Sequence, residues 1–364
     1  KQALACFLAC LLTLPVFAQE EETKEEAAPV EDGTQSGYGD IKEFGGPESV
    51  GAQLKENDAD READYMFDNL QRGMRPYFNW KRDVKDDHGV SFGTSFYLLY
   101  QKASDALDGE DDDALGQVFR QQGAWEIFKK DNGNSGRIAW RFESRSNIGS
   151  RQAPGSLGGA TGIRTLAPGF AYNEEFDFDI PVIAWVQHFA NGRAGYTVGR
   201  LAFDAYLDAF PFQTLSKGHL NRSSILNTTL PTTGLGALGA VVKGFVSDNI
   251  WLGAQIHDAN AVNGDFDFDT VQEGEFIKAV EVGFAPSIEA RNKHRIQLTF
   301  WEKDARQEAG TSKGQGWAIS AAWQLNDKYF PYARYGSSDG GGGVAAEKAL
   351  AAGVQIATRA NETW

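Results

Sequence analysis

Arg137-Ile-Ala-Trp-Arg-Phe-Glu-Ser-Arg145 decides the class of fold. Successive side chains of an extended chain point to opposite sides, so Ile138, Trp140 and Phe142 share one face, and Arg137, Arg141, Glu143 and Arg145 share the other. A soluble β-sandwich would bury the apolar face and expose the charged one; a barrel in lipid does the reverse, turning its apolar face to lipid and its charges to a water-filled lumen. The stretch alone admits both. Recurrence favours the barrel, because Val90 to Gln101, Thr197 to Asp208 and Arg295 to Lys303 repeat the split, with Arg200, Asp204 and Tyr206 opposite Leu201, Phe203 and Leu207.

Beyond Met74 the chain is a succession of such segments, separated by clusters of Gly, Asn and Asp, with no sustained helical periodicity. Thirteen can be drawn, centred near Phe78, Phe96, Gln122, Arg141, Ala184, Arg200, Val241, Leu252, Val280, Leu298, Ala318, Ala333 and Gly353. Aromatic residues gather near segment ends (Tyr97, Tyr100, Trp125, Trp323, Tyr329, Phe330, Tyr332), as interfacial girdles do. Connections are very short at 191–193 and 247–249 and long at 146–181 and 211–235. Short turns at one end and long loops at the other suit a transmembrane barrel.

The start of the chain sets the expected compartment. An apolar run from Ala3 to Phe17 ends in Val16-Phe17-Ala18, a small-x-small cleavage pattern, so residues 1–18 are expected to be a secretory signal peptide, its own start missing because the chain opens on Lys1. Both cysteines, Cys6 and Cys10, fall inside it, which leaves the mature chain without disulfide, thiol chemistry or Cys-ligated metal. Residues 19–72 are expected to form an acidic, largely disordered periplasmic segment, with a short helix near Asp58 to Gln71 that plugs or flanks the barrel mouth. Residues 73–364 are then the barrel. A mean hydropathy of −0.41, with 12% aromatic residues and 41 glycines, excludes a helical membrane protein and fits strands apolar on one face only. A net charge of −15 argues against nucleic acid as a partner.

Four stretches taken in order resemble the carbohydrate-selective porin (OprB) family: Val186-Gln-His-Phe-Ala-Asn-Gly-Arg-Ala-Gly-Tyr-Thr-Val-Gly-Arg-Leu-Ala-Phe-Asp-Ala-Tyr-Leu-Asp-Ala-Phe210, then Gly218-His-Leu-Asn221, Asp248-Asn-Ile-Trp-Leu-Gly-Ala-Gln-Ile-His-Asp-Ala-Asn260 and Gln297-Leu-Thr-Phe-Trp301. Each is built of common strand and turn residues; their order and spacing carry the likeness, which covers roughly Asn79 to Trp364. The resemblance implies an all-β, antiparallel transmembrane barrel of 16 strands, monomeric, admitting sugars through a constriction lined by charged and aromatic side chains. The residues alternating back from Trp364 are Glu362, Ala360 and Thr358, not the apolar series that closes such barrels, so the C-terminus looks truncated by about three strands.

Arg141, Glu143, Arg145, Arg200, Asp204, Trp251, Trp301 and Arg334 are the expected pore-lining residues. Sugar hydroxyls bind fixed Arg and carboxylate groups and sugar C–H faces stack on rings, although any wide barrel also needs wall charges merely to satisfy one another. Trp251 and Trp301 point inward if Ile250, Leu252, Leu298 and Phe300 face lipid; a bulge would turn both outward. His88, His188, His219, His257 and His294 have no metal spacing and no Gly-x-Ser-x-Gly occurs, so no catalytic residue, cofactor or metal is expected. Phe176-Asp-Phe-Asp179 and Asp265-Phe-Asp-Phe-Asp269 could bring carboxylates to Ca²⁺ in outer loops, but solvated charged turns are the better reading. The expected function is passive, sugar-selective diffusion across the outer membrane of a Gram-negative bacterium, with sugars as permeating solutes and lipid and lipopolysaccharide as surroundings. The alternatives are a general or organic-acid-selective porin, a barrel enzyme, and a secreted lectin-like β protein.

Overall fold

The computed structural model describes residues 44–57, 68–149, 151–163, 172, 176–212, 226–231, 235–263 and 268–356. The signal-peptide reading of residues 1–18 and the tail at 19–43 lie outside them. Twelve strands form one sheet: β1 (Val90–Lys102), β2 (Asp113–Lys129), β3 (Ser135–Asn147), β4 (Phe176–Phe189), β5 (Ala194–Leu201), β6 (Ala237–Phe245), β7 (Ile250–Asp258), β8 (Phe276–Phe284), β9 (His294–Lys303), β10 (Gly314–Trp323), β11 (Tyr329–Ser338) and β12 (Lys348–Ile356). Spatial order equals chain order. Three α-helices among the described residues accompany the sheet: α1 (Val50–Asn57), α2 (Asp68–His88) and α3 (Pro154–Ala160). Among the described residues no helix is long and apolar enough to cross a membrane.

Twelve of the expected segments coincide with these strands. The thirteenth, around Phe78, is helical, which also moves the expected barrel boundary at residue 73 into the middle of α2. Phe78 and Trp80 suggest a two-residue period, yet Tyr77, Trp80, Lys81 and Val84 have helical spacing. Contacts settle the choice: the Trp80 ring meets Phe92 edge-on at 5.5 Å, and Lys81 Nζ lies 5.4 Å from the Phe92 ring centre.

The sheet is apolar outside and charged inside. Phe96 is 60% exposed, Leu98 59% and Val280 55%, whereas Arg141 is 4% exposed, Glu143 2% and Arg200 1%. A water-soluble protein would forfeit about 25 cal/mol for each Å² of apolar surface left out this way, so the outer face is built for an apolar medium. This inversion separates barrel from sandwich where the alternation alone did not. Tyr100, Trp125 and Tyr329 lie on the outer face as the girdle expectation has it. Tyr97, Phe330 and Tyr332 do not: Tyr97 packs inside near Val118 and Tyr172, and Phe330 and Tyr332 pack inside on Phe212.

One end carries the short connections 130–134, 190–193, 246–249 and 324–328, with 285–293 somewhat longer; the other carries 103–112, 148–175, 202–236, 259–275, 304–313 and 339–347. The turn after β4 holds three successive positive-φ residues, Ala190 (51°), Asn191 (58°) and Gly192 (76°), which reverse the chain within its four residues 190–193.

Two stretches leave the expected pattern and fill the inside. Residues 44–57, expected to be disordered, are folded: α1 starts behind Ser49, whose Oγ accepts from Ala52 N (3.4 Å), and buries Val50 and Leu54 against Ala124, Ala139, Val182, Ala184 and Val186. The stretch Thr197 to Asp208, expected as one strand, pairs only as far as Leu201. Gly199 adopts φ +138°, open to glycine alone, and a Cβ there would lie 2.4 Å from the Ile183 carbonyl oxygen. This twist turns Arg200 and Leu201 both inward, and residues 202–212 then cross the interior. Lys243 on β6 donates to the Tyr206 carbonyl, and Arg334 on β11 donates to the Asp208 carboxylate. Five strand spacings would separate β6 from β11 by about 24 Å in a flat sheet, so grips on residues two apart show a sheet curled around this segment.

Candidate functional site

The inner face carries three polar networks, two of which join the wall to an inserted segment. The first lies on β2 and β3. Arg120 Nε donates to Glu143 Oε1 (2.6 Å), Arg145 Nη2 donates to Glu143 Oε2 (2.8 Å), and Arg141 grips Gln122 Oε1 through Nε (3.1 Å) and Nη2 (2.9 Å). Glu48, just ahead of α1, enters this group: its Oε2 accepts from Arg120 Nη1 (2.9 Å) and its carbonyl from Arg141 Nη2 (2.7 Å). Gln53 on α1 completes it, with its Oε1 3.5 Å from both Tyr97 Oη and Arg120 Nη1.

The second network centres on Glu281 of β8. Its Oε1 accepts from Lys243 Nζ (2.8 Å) and Trp251 Nε1 (3.1 Å); its Oε2 accepts from the Asp208 backbone N–H (3.0 Å) and Thr299 Oγ1 (3.2 Å). Asp208, at φ 46°, accepts from Gln297 Nε2 (2.8 Å) and from Arg334, whose guanidinium also lies 4.5 Å from the Phe210 ring centre. Four strands thereby hold one bend of the inward segment. In the third network Arg200 Nη2 donates to Asp179 Oδ1 (3.3 Å) and its Nε to the Ile180 carbonyl (2.8 Å).

All eight residues singled out from the sequence therefore lie inside, in different surroundings. Arg141, Glu143 and Arg145 share the first network; Trp251 and Arg334 share the second; Arg200 stands apart in the third. Asp204 sits on the inward segment, not on a strand, and is exposed within the interior. Trp251 and Trp301 have the inward parity, but both lie flat over a glycine of the next strand: a Cβ on Gly283 would be 2.0 Å from the Trp251 ring, and one on Gly316 2.8 Å from Trp301 Nε1. Trp301 is covered by Phe203 and Leu207 of the inward segment. Asp179, read from the sequence as part of a solvated charged turn, is instead a buried strand residue paired to Arg200; Asp265 and Asp267 lie outside the described residues.

Glu48, Gln53 and Asp208 went unnoticed in the sequence. Glu48 and Gln53 sit in a stretch whose acidity reads as solvation. Asp208 is the end of an apparent strand, and only the glycine two residues before Leu201 hints that the strand breaks there.

The OprB structure of Pseudomonas putida superposes with a TM-score of 0.56, covering 76% of this chain and 73% of that one at 12% identity. The chain has a porin fold. A mutant of the Rhodopseudomonas blastica porin also superposes, with a TM-score of 0.45, 11% identity and coverage of 74% and 80%. No family model and no curated protein matches this chain in sequence. The inner face of this fold holds a guanidinium-rich cluster on β2 and β3, a cluster around Glu281, and the two inserted segments they clasp.

Proposed function

We propose that the chain is an outer-membrane porin of a Gram-negative bacterium, a passive channel for small hydrophilic solutes with carbohydrates as its expected cargo. The observation that carries this is the inverted burial, with the apolar side chains of the sheet outside and its Arg, Glu, Lys and Gln side chains inside. Its short-turn end, where residues 44–57 lead in toward the wall, faces the periplasm; the long loops face outward among lipopolysaccharide; the channel works as a monomer. Solute passes along the inner wall beside Arg141, Glu143, Arg145 and Asp204, while Trp251, Trp301 and Arg334 hold the inward segment in place and Arg200 braces β5 on β4. Such contacts are weak and repeated, since a tight site would trap what it should pass.

Single-channel conductance in a planar bilayer, titrated with glucose and maltooligosaccharides, tests the reading. Saturable closure by sugar supports a carbohydrate path. Steady conductance untouched by sugar leaves a general porin, and absence of any channel overturns the proposal.

A barrel enzyme has one specific observation in its favour: Ser135 Oγ lies 3.4 Å from His188 Nδ1 near the short-turn end. Hydrolysis of ester substrates lost in Ser135→Ala would support it.

A further inference from the structure

Among the described residues the wall of the first network carries more guanidinium groups than carboxylates. Arg120 on β2 and Arg141 and Arg145 on β3 bring three guanidinium groups, each no more than 7% exposed in its side chain. The wall carboxylate that meets Arg120 and Arg145 is Glu143. Further negative charge comes from a segment that does not belong to the wall: Glu48 contributes its carboxylate directly to Arg120, with Arg141 Nη1 4.0 Å away. A second, independent feature marks the place as a receptor for an acceptor group. Gln122 is fully buried beside Arg141, and its amide Nε2 has no hydrogen-bond partner. A buried donor left unmade costs about 1–3 kcal/mol, so an acceptor brought beside Gln122 would recover that cost.

We infer that Arg120, Arg141 and Gln122 form a carboxylate subsite on the channel wall, occupied in cis by Glu48, and that its solute is a sugar acid or another small hydroxylated carboxylate. The inference rests on the porin reading of the inner face and names its substrate class. Guanidinium groups present N–H donors in a plane that matches the two oxygens of a carboxylate, and buried charges of one sign require an opposite charge. Glu48 meets that demand when the channel is idle, and a permeating carboxylate exchanges with it, which keeps the charge of the subsite the same at both stages. A neutral sugar cannot make the exchange. The residue that blocks the subsite is thus also its selectivity filter: entry requires a solute able to replace the charge it displaces.

Calorimetric titration of the full detergent-solubilised chain with sodium glucuronate, and with glucose as the neutral probe, tests this. Glu48→Gln is expected to bind glucuronate at least tenfold more tightly than the wild type and glucose no differently; adding Arg141→Gln to it abolishes the gain. Glucuronate affinity within twofold of the wild type, or an equal gain for glucose, overturns the subsite. Should Glu48→Gln not fold, the wild type answers by itself: saturating glucuronate, and not glucose, must increase protease cleavage within 44–57, and unchanged cleavage overturns the exchange. Neither measurement needs ion flux, so a chain that binds glucuronate as stated but conducts nothing refutes the channel and keeps the site, whereas a conducting chain indifferent to glucuronate refutes the site alone.

Discussion

Glu281→Gln probes the bend of the inward segment most directly, because one carboxylate receives four donors there. Its Oε1 serves Lys243 and Trp251 and its Oε2 serves Asp208 N–H and Thr299. An amide can turn its oxygen to only one pair. If the oxygen stays with Lys243 and Trp251, the amide N–H groups face the Asp208 N–H and one buried donor is orphaned, at about 1–3 kcal/mol. The larger loss is electrostatic: Lys243, 5% exposed, keeps its charge without a counter-ion, and removing one partner of a buried pair costs about 3–5 kcal/mol. The two penalties concern the same atoms and overlap, so the expected loss is about 3–5 kcal/mol in all. Urea unfolding of the folded, detergent-solubilised protein, followed by tryptophan fluorescence, reads it as a lowered midpoint at unchanged slope. The double variant Glu281→Gln with Lys243→Met removes the stranded cation and recovers most of the loss. A single variant within about 1 kcal/mol of the wild type, or a double variant no better than the single, refutes the reasoning.

Other substitutions separate the remaining roles. Asp208→Gly keeps the left-handed backbone of Asp208 (φ 46°) open to its residue but removes the carboxylate that Arg334 and Gln297 share, so stability falls by about 3 kcal/mol and protease cleavage within 202–212 rises; unchanged cleavage would place the hold elsewhere. Trp301→Ala empties a cluster shared with Phe203, Leu207 and Ile277 and costs about 3–5 kcal/mol. Its Nε1 has no acceptor, so Trp301→Phe should cost under about 2 kcal/mol in the same urea assay. At the long-loop end, burial and the nearby carboxylates of Glu308, Glu275 and Asp258 push Glu273 above its usual range, against Arg306. A raised carboxylate is a penalty present above its folded pKa and gone below the unfolded value near 4.5. The 259–275 loop therefore gains stability as pH falls from neutral toward that value, seen as slower proteolysis; Glu273→Gln should flatten the dependence, and faster proteolysis on acidification would contradict it.

The sheet was legible in the sequence because alternation is a local signal that does not need to know what lies on either side. Parity alone put Trp251 and Trp301 on the face opposite Ile250, Leu252 and Phe300. What it could not supply was the medium on each face, which burial settled. Two failures have physical causes. Phe78 and Trp80 lie two apart, but Tyr77 and Trp80 lie three apart, and packing on Phe92 selected the helix. Arg200 to Asp208 alternates as a strand should, yet Gly199 breaks the sheet's geometry and long-range grips from Lys243 and Arg334 pull the chain inward. Glu48 was invisible for another reason: its partners are Arg120 and Arg141, and a pairing across such a span leaves no local pattern in a run of acidic residues.

The order of the strands has a consequence for assembly. Every ladder in the sheet joins neighbours in the chain, so hairpins can zip up one after another, those joined at the short-turn end each closing only a short loop. Residues 44–57 break that economy. They pack on β1, β2 and β3 and meet the inward segment where Gly46 N donates to the Ala205 carbonyl (2.7 Å), across more than a hundred residues of intervening chain. The first part of the described chain must therefore wait, held loosely or displaced, until β5 has formed. Maturation should show two phases, fast growth of the hairpins and a slower settling of this segment into a cage built after it.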